Sequence, residues 1–360
     1  MTIETNTDIQ KIINNPIFFE RNRVKRVYLG GKLFHELYGD EPVDNHCPEE
    51  WVASAVKAMN FQSTDENEGL SVVRGTDLIF ADLLTQYRSE LLGSRESFDI
   101  LVKFLDSAIR LPIQAHPDKA LSRKFFDSDF GKAEMWIVIA TREGACIHFG
   151  FKDRMTSEEF LSYVEQSETN KDIMSGLLNK VPVKKGDVFF IPAKMVHAIG
   201  SGCLILEIQE PTDFTIQPEN WCGEYHLSEY EKYLGIDAKD AMECFDFNVF
   251  GPDAIALGKR TPRVVSDNGT VRTEMVVGPD DTDCFAVIRH NITSGSLGGL
   301  NAPSICVVTE GSGTVNCGGE STPVKRGDYF FLPYAAAENC TVSSEGGLEL
   351  VECLPPGMLS

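Results

Sequence analysis

The sequence has no run of 18 apolar residues, so it offers no membrane-spanning helix. Its opening stretch, Met1-Thr-Ile-Glu-Thr-Asn-Thr-Asp8, has neither a basic n-region nor an apolar h-region, and the expected compartment is cytoplasmic. The ten cysteines include no Cys-x-x-Cys pair. In a long chain without a secretion signal they read as reduced thiols rather than as a disulfide framework. Positive charge is scarce: 33 Lys and Arg against 54 Asp and Glu give a formal net charge of −21. Such a surface argues against nucleic acid or an anionic membrane as the main partner, and an anionic ligand would need a local cluster of cations. What remains is ordinary globular composition, 42% hydrophobic and 24% charged, in 360 residues, which is enough for more than one domain.

Residues 1–15 are a polar lead-in, and 18–33 reads as extended up to Gly30-Gly31. Residues 49–55 read as a strand. Over 76–92, Phe80, Leu83, Leu84, Tyr87 and Leu91 recur at helical spacing behind a capping Thr76 or Asp77, which predicts a helix. Residues 100–105 form an apolar strand interrupted by Lys103. In Leu111-Pro-Ile-Gln-Ala-His-Pro-Asp-Lys119 an extended backbone puts Gln114 and His116 on one face. Pro117 then stops the strand and can open a helix running through Phe125. Glu134 begins another strand. Thr156-Ser-Glu-Glu159 is a capping box ahead of an inserted helical segment reaching about residue 179, and Ser228-Glu-Tyr-Glu231 is a second one. Beyond Gly251-Pro252 the pattern turns to short strands and Gly-rich turns.

The chain also repeats itself. Pro182-Val-Lys-Lys-Gly-Asp-Val-Phe-Phe-Ile-Pro192 reappears 141 residues later as Pro323-Val-Lys-Arg-Gly-Asp-Tyr-Phe-Phe-Leu-Pro333. Two copies of one antiparallel β-barrel unit follow. Five residues past Pro192 stands His197, whereas the equivalent position in the second copy holds Glu338. The first copy therefore carries the chemistry, and the second is assigned a structural or interface role.

Gln114, His116, Glu134 and His197 each fall at a strand edge in the first copy. Taken singly, a half-buried histidine or a surface carboxylate is the commoner reading. Together, imidazole nitrogens and a carboxylate make the mixed set that suits zinc or another divalent ion with an open position.

Four segments in order carry a specific resemblance: Ile113-Gln-Ala-His-Pro-Asp-Lys119, Lys132-Ala-Glu134-Met-Trp136, Gly186-Asp-Val-Phe-Phe-Ile-Pro-Ala193 with His197-Ala198, and Glu207-Ile-Gln-Glu-Pro-Thr-Asp213-Phe-Thr215. With weaker matches at Gly30-Gly-Lys-Leu33 and Glu50-Trp-Val-Ala-Ser54, the chain resembles the short, bacterial-type type I mannose-6-phosphate isomerases, a double-cupin metalloenzyme family, over roughly residues 25–235. The resemblance implies a mostly β fold of two cupin-like antiparallel β-barrel (jelly-roll) units with inserted helices. The first unit, 1–245, would be catalytic, with helical insertions at about 76–127, 156–179 and 226–235; the second, 246–360, would lack metal ligands. It implies one zinc or other divalent ion per chain, held by Gln114, His116, Glu134 and His197. The partner would be a small-molecule sugar phosphate, with room for a homodimer. The reaction would be aldose–ketose isomerisation of mannose 6-phosphate to fructose 6-phosphate through an enediol, needing a Lewis acid and a base.

Glu207 resembles the family's carboxylate on the strand after the histidine and is the candidate base. A carboxylate buried against a Lys or Arg is an equally weighted alternative. The family's arginine ten residues beyond that glutamate is replaced by Gln217, which predicts weakened isomerisation. Pro112 replaces a serine that longer members use near the phosphate. Lys103, Lys119 and Lys132 remain as candidate phosphate contacts, with Lys132 also a candidate catalytic residue. Two further readings stand beside this one: an isomerase of an unphosphorylated sugar, and a catalytically weak sugar-binding or regulatory cupin.

Overall fold

The computed structural model describes residues 6–60 and 63–359. It is mostly β, and its named strand pairings run antiparallel. A seven-stranded sheet has the spatial order Lys259–Arg260, Val188–Ile191, Glu134–Thr141, Cys203–Gln209, Leu101–Asp106, Glu49–Val52, Arg23–Val24. Against one face packs a three-stranded sheet, Leu178–Pro182, Cys146–Phe151 and His197–Ile199, with Trp136, Phe189 and Ile205 meeting Ile147, Phe149 and Ile199 between them.

The other face of the seven-stranded sheet lies back to back with a ten-stranded sheet built largely from the C-terminal third. Val102, Phe104, Met135, Ile137, Leu206 and Phe190 from the first meet Val287, Ile305, Val307, Phe331 and Val351 from the second. Covered on both faces, the central strands become continuous apolar runs: every residue of Glu134–Thr141 but the last is buried, as is all of Cys203–Gln209. Each large sheet also takes an edge strand from the far part of the chain. Ile17–Phe18 pairs with Tyr329–Leu332, and Lys259–Arg260 pairs with Val188–Ile191.

The internal repeat is visible bond by bond. Gly186 and Gly327 both have positive φ, 87° and 92°. Each donates its N–H over 2.8 Å to a carbonyl on the neighbouring strand, Val138 or Val308. The aspartate that follows accepts from the lysine N–H three residues before it, Asp187 from Lys184 at 3.0 Å and Asp328 from Lys325 at 2.8 Å. One turn sequence, used twice, aims one strand into each sheet. Glu338, the counterpart of His197, lies exposed on a short 3-10 helix, Tyr334–Asn339.

Both capping boxes form, Thr156 with Glu159 and Ser228 with Glu231. The second helix, Glu229–Tyr233, closes near its expected end, whereas the first is shorter than the sequence pattern suggests. The first ends at Ser167, and Leu178–Pro182 is already strand. The helix expected over 76–92 is two short helices, Phe80–Gln86 and Arg88–Leu92, broken at Tyr87. Neither Thr76 nor Asp77 caps it. Val72 and Ile79 bridge each other, and the Thr76 hydroxyl accepts from Leu78 N–H, so tight-turn geometry holds the segment until Phe80. No helix of the described residues is long and apolar enough to cross a membrane.

Candidate active site

Strand register sets the floor of the site. Trp51, Lys103, Glu207, Trp136 and Phe189 lie side by side across the seven-stranded sheet. Side chains two residues apart share a face, so Glu134 points the same way as Trp136. From the opposing sheet comes His197, paired with Phe149 and bridged to Gln114 by two mutual backbone hydrogen bonds of 2.9 Å. Gln114 and His116 lie two apart in the segment so held, which places both on the interior side. Asp118 then accepts from Leu121 N–H at 2.8 Å and turns the chain into the helix Lys119–Phe126.

His116, Glu134 and His197 converge. Their potential ligand atoms lie within 4.8 Å of one another, and all three are buried. His197 Nε2 is 3.1 Å from Glu134 Oε1, and His116 Nε2 is 3.4 Å from Glu134 Oε2. Each Nδ1 faces a backbone carbonyl, Phe214 at 3.0 Å for His116 and Met195 at 2.8 Å for His197. A carbonyl only accepts, so Nδ1 carries the proton and each Nε2 lone pair turns inward. Burial and the neighbouring Lys132 ammonium push His116 down to about 3, which keeps it neutral. Burial alone would raise Glu134, but the neighbouring Lys132 ammonium holds it well below the usual carboxylate range.

Glu134 Oε1 and His197 Nε2 are buried with no hydrogen-bond partner among the described residues. Two facing acceptors of this kind are costly unless a cation lies between them. The donor set, two neutral imidazoles and a carboxylate, fits a divalent transition ion such as zinc. Gln114 lines a cavity that is also lined by Lys132, which contacts His116 and Glu134.

That cavity is about 450 Å³ in volume. Lys103, Lys132, Glu207 and Gln217, all singled out from the sequence, are on its wall. Glu207 is 3.1 Å from Lys103 Nζ and accepts from Trp136 Nε1 at 2.8 Å. Burial and the nearby Glu134 raise its carboxyl above the ordinary range despite Lys103. The lysine pairing and the place on the cavity wall, treated as alternatives for Glu207 in the sequence, coexist. Gln217 donates its amide Nε2 to the Glu231 carbonyl at 3.0 Å. Lys119 is not brought to the cavity. At the N-terminal end of its helix it faces Asp283 at 3.3 Å, since Asp118 has turned the chain outward.

The sequence did not single out Arg26, Tyr28 or Glu49, which form a second charged wall. Glu49 accepts from Arg26 Nε at 2.8 Å, Tyr28 Oη at 2.7 Å and Trp51 Nε1 at 2.7 Å. Burial opposes its ionisation, yet Arg26, Lys103 and these donors hold it down to about 2. Arg26 also donates to Asn60 at 2.9 Å and reaches Asp213 at 3.1 Å. Period-two spacing was the available signal: Arg26 with Tyr28, and Glu49 with Trp51, repeat the pattern that marked Gln114 and His116.

No family model matches the chain. It is 30% identical to a mannose-6-phosphate isomerase of Streptococcus mutans over 324 residues, 88% of this chain and 92% of that one. A crystal structure of the Bacillus subtilis mannose 6-phosphate isomerase superposes with a TM-score of 0.73 at 23% identity, over 94% of this chain and 99% of that one. A mannose 6-phosphate isomerase crystallised with zinc and yttrium superposes at 0.69, with 16% identity over 95% of this chain and 100% of that one. At those identities the two structures speak for the fold, and the Streptococcus relative speaks for descent. With that relative spanning nearly the whole chain and the cupin architecture in place, the chain belongs to the type I mannose-6-phosphate isomerase family.

Proposed function

We propose that the chain interconverts mannose 6-phosphate and fructose 6-phosphate, with a zinc or similar divalent ion held by His116, Glu134 and His197 together with Gln114. The observation that carries this reading is the pair of unpartnered buried acceptors, Glu134 Oε1 and His197 Nε2, beside a cavity that also holds a buried carboxylate–lysine pair. A bound divalent ion supplies Lewis-acid polarisation of the sugar's carbonyl and hydroxyl oxygens. Glu207 is the group that moves the proton between C1 and C2. Its raised carboxyl lies closer to neutrality than an ordinary glutamate, which suits a base that must also return the proton. Lys103 and the Trp136 indole hold that carboxylate in one orientation. Position 217 offers a neutral amide already committed to a backbone carbonyl, from which we expect a reduced rate.

One observation favours a second substrate, the unphosphorylated sugar. The buried cations of the wall are each engaged by carboxylates: Arg26 by Glu49 and Asp213, Lys103 by Glu207, Lys132 by Glu134. A coupled assay on mannose 6-phosphate and on mannose, before and after chelation and after zinc is returned, decides among these readings. The expected result is formation of fructose 6-phosphate, abolished by chelator and restored by zinc. Turnover of mannose alone transfers the reading to the unphosphorylated sugar, and chelator-insensitive turnover overturns the metal assignment.

A further inference from the structure

Lys132 is part of the metal cluster's own geometry. Its Nζ lies 2.9 Å from His116 Nε2 and 3.1 Å from Glu134 Oε2, with the side chain 4% exposed. Because His116 Nδ1 donates to the Phe214 carbonyl, Nε2 is an acceptor and the ammonium is its donor. The contact therefore satisfies half of the cluster. The other half, His197 Nε2 facing Glu134 Oε1 across 3.1 Å, is left with two opposed acceptors.

An imidazole nitrogen has one in-plane lone pair. It can accept a hydrogen bond from an ammonium or ligate an ion, but not both. The same His116 Nε2 that a divalent ion needs is thus occupied by Lys132, and an ion bound to that nitrogen would stand beside the ammonium and repel it.

We propose that Lys132 is the internal counter-cation of the metal-free cluster, displaced from His116 and Glu134 when a divalent ion binds, so that metal loading releases its ammonium into the cavity it lines. This rests on the metal reading above and adds an exchange of one cation for another. The exchange lowers the apparent affinity for metal, because each binding event must break two contacts of Lys132. It also protects the metal-free protein, since without Lys132 three buried acceptors would face one another with no donor at all. The released ammonium stays within reach of an anionic ligand only in the loaded protein.

Lys132→Met tests this, because methionine matches the length of the side chain and removes its charge. Two measurements on the full chain are needed: zinc affinity by competition with a chromophoric chelator, and the melting temperature of chelator-stripped protein. The variant is expected to bind zinc about tenfold more tightly or better, and its stripped form to melt several degrees below stripped wild type. Unchanged or weaker zinc binding overturns the proposal, as does an unchanged melting temperature of the stripped form, which would mean that Lys132 merely repels the ion without supporting the vacant cluster. Should stripped Lys132→Met not fold, Lys132→Gln takes its place. Its amide keeps one donor for His116 Nε2 without the charge, so an intermediate affinity is expected and a wild-type affinity sinks the idea. If wild type itself binds no zinc, the metal reading fails instead.

Discussion

Gln217 stands on the cavity wall with its amide nitrogen 3.0 Å from the Glu231 carbonyl, so the face it turns toward a ligand is neutral. The guanidinium of Arg26, on the same wall, is locked between Glu49 and Asp213 and is not free to compensate. An arginine at 217 would add a charge-assisted donor on the cavity wall, where such contacts can be worth roughly 10²-fold in rate. Gln217→Arg is accordingly expected to raise kcat by about 10²-fold with a smaller change in KM, measured by steady-state turnover of mannose 6-phosphate. A kcat equal to wild type would remove position 217 from the catalytic account.

At the scale of elements, the helix Gly251–Gly258 packs on the strand Cys146–Phe151 and leads straight into Lys259–Arg260, the edge strand of the seven-stranded sheet. The packing is close enough that a Cβ at Gly258 would lie 2.3 Å from the Phe149 ring, and one at Gly150 the same distance from Ala254 Cβ. Phe149 is the register partner of His197. Gly258→Ala must therefore shift the helix or the Phe149 ring, at a cost of about 1–3 kcal/mol. Urea denaturation should show that loss, accompanied by weaker zinc binding as the strand beside His197 moves. Full stability in this variant would mean that the packing is looser than its geometry indicates.

Elements of this kind also mark where the sequence was legible. Central strands announced themselves as apolar runs because they are buried on both faces, and two members of the His116–Glu134–His197 cluster because His116 ends an alternating segment and His197 follows a repeated turn. The helix over 76–92 was misread because apolar spacing cannot register the Val72–Ile79 bridge that delays it to Phe80. The Arg26–Asp213 contact joins residues 187 apart, and only the folded arrangement of wall and loop brings them together. Nothing in local periodicity encodes that distance.

The whole molecule is held by two sheets placed back to back, and a buried polar contact crosses the apolar seam. Tyr329, on a strand of the ten-stranded sheet, donates its hydroxyl over 2.6 Å to Glu50 Oε1, on a strand of the seven-stranded sheet. Glu50 is fully buried and also accepts from Asn22 N–H at 3.0 Å and pairs with Arg23 at 3.0 Å. Burial nevertheless raises its carboxyl above the ordinary value, while Arg23 and the Tyr329 hydroxyl pull it back by favouring the ionised form. A carboxyl raised in the folded state binds its proton more tightly there than in the unfolded chain, so its contribution to stability grows as pH falls through that raised value. Removing the hydroxyl in Tyr329→Phe deprives an ionised acceptor of a donor at neutral pH, which costs about 2 kcal/mol, and pushes the carboxyl higher still. As the medium is acidified the group protonates in variant and wild type alike, and the charge-assisted part of the difference disappears. Urea titrations of both proteins at pH 7 and pH 5 should thus show a stability gap that narrows on acidification. An equal gap at both pH values would mean that Glu50 keeps one protonation state from pH 7 to pH 5 and that its titration does not govern the seam over that range.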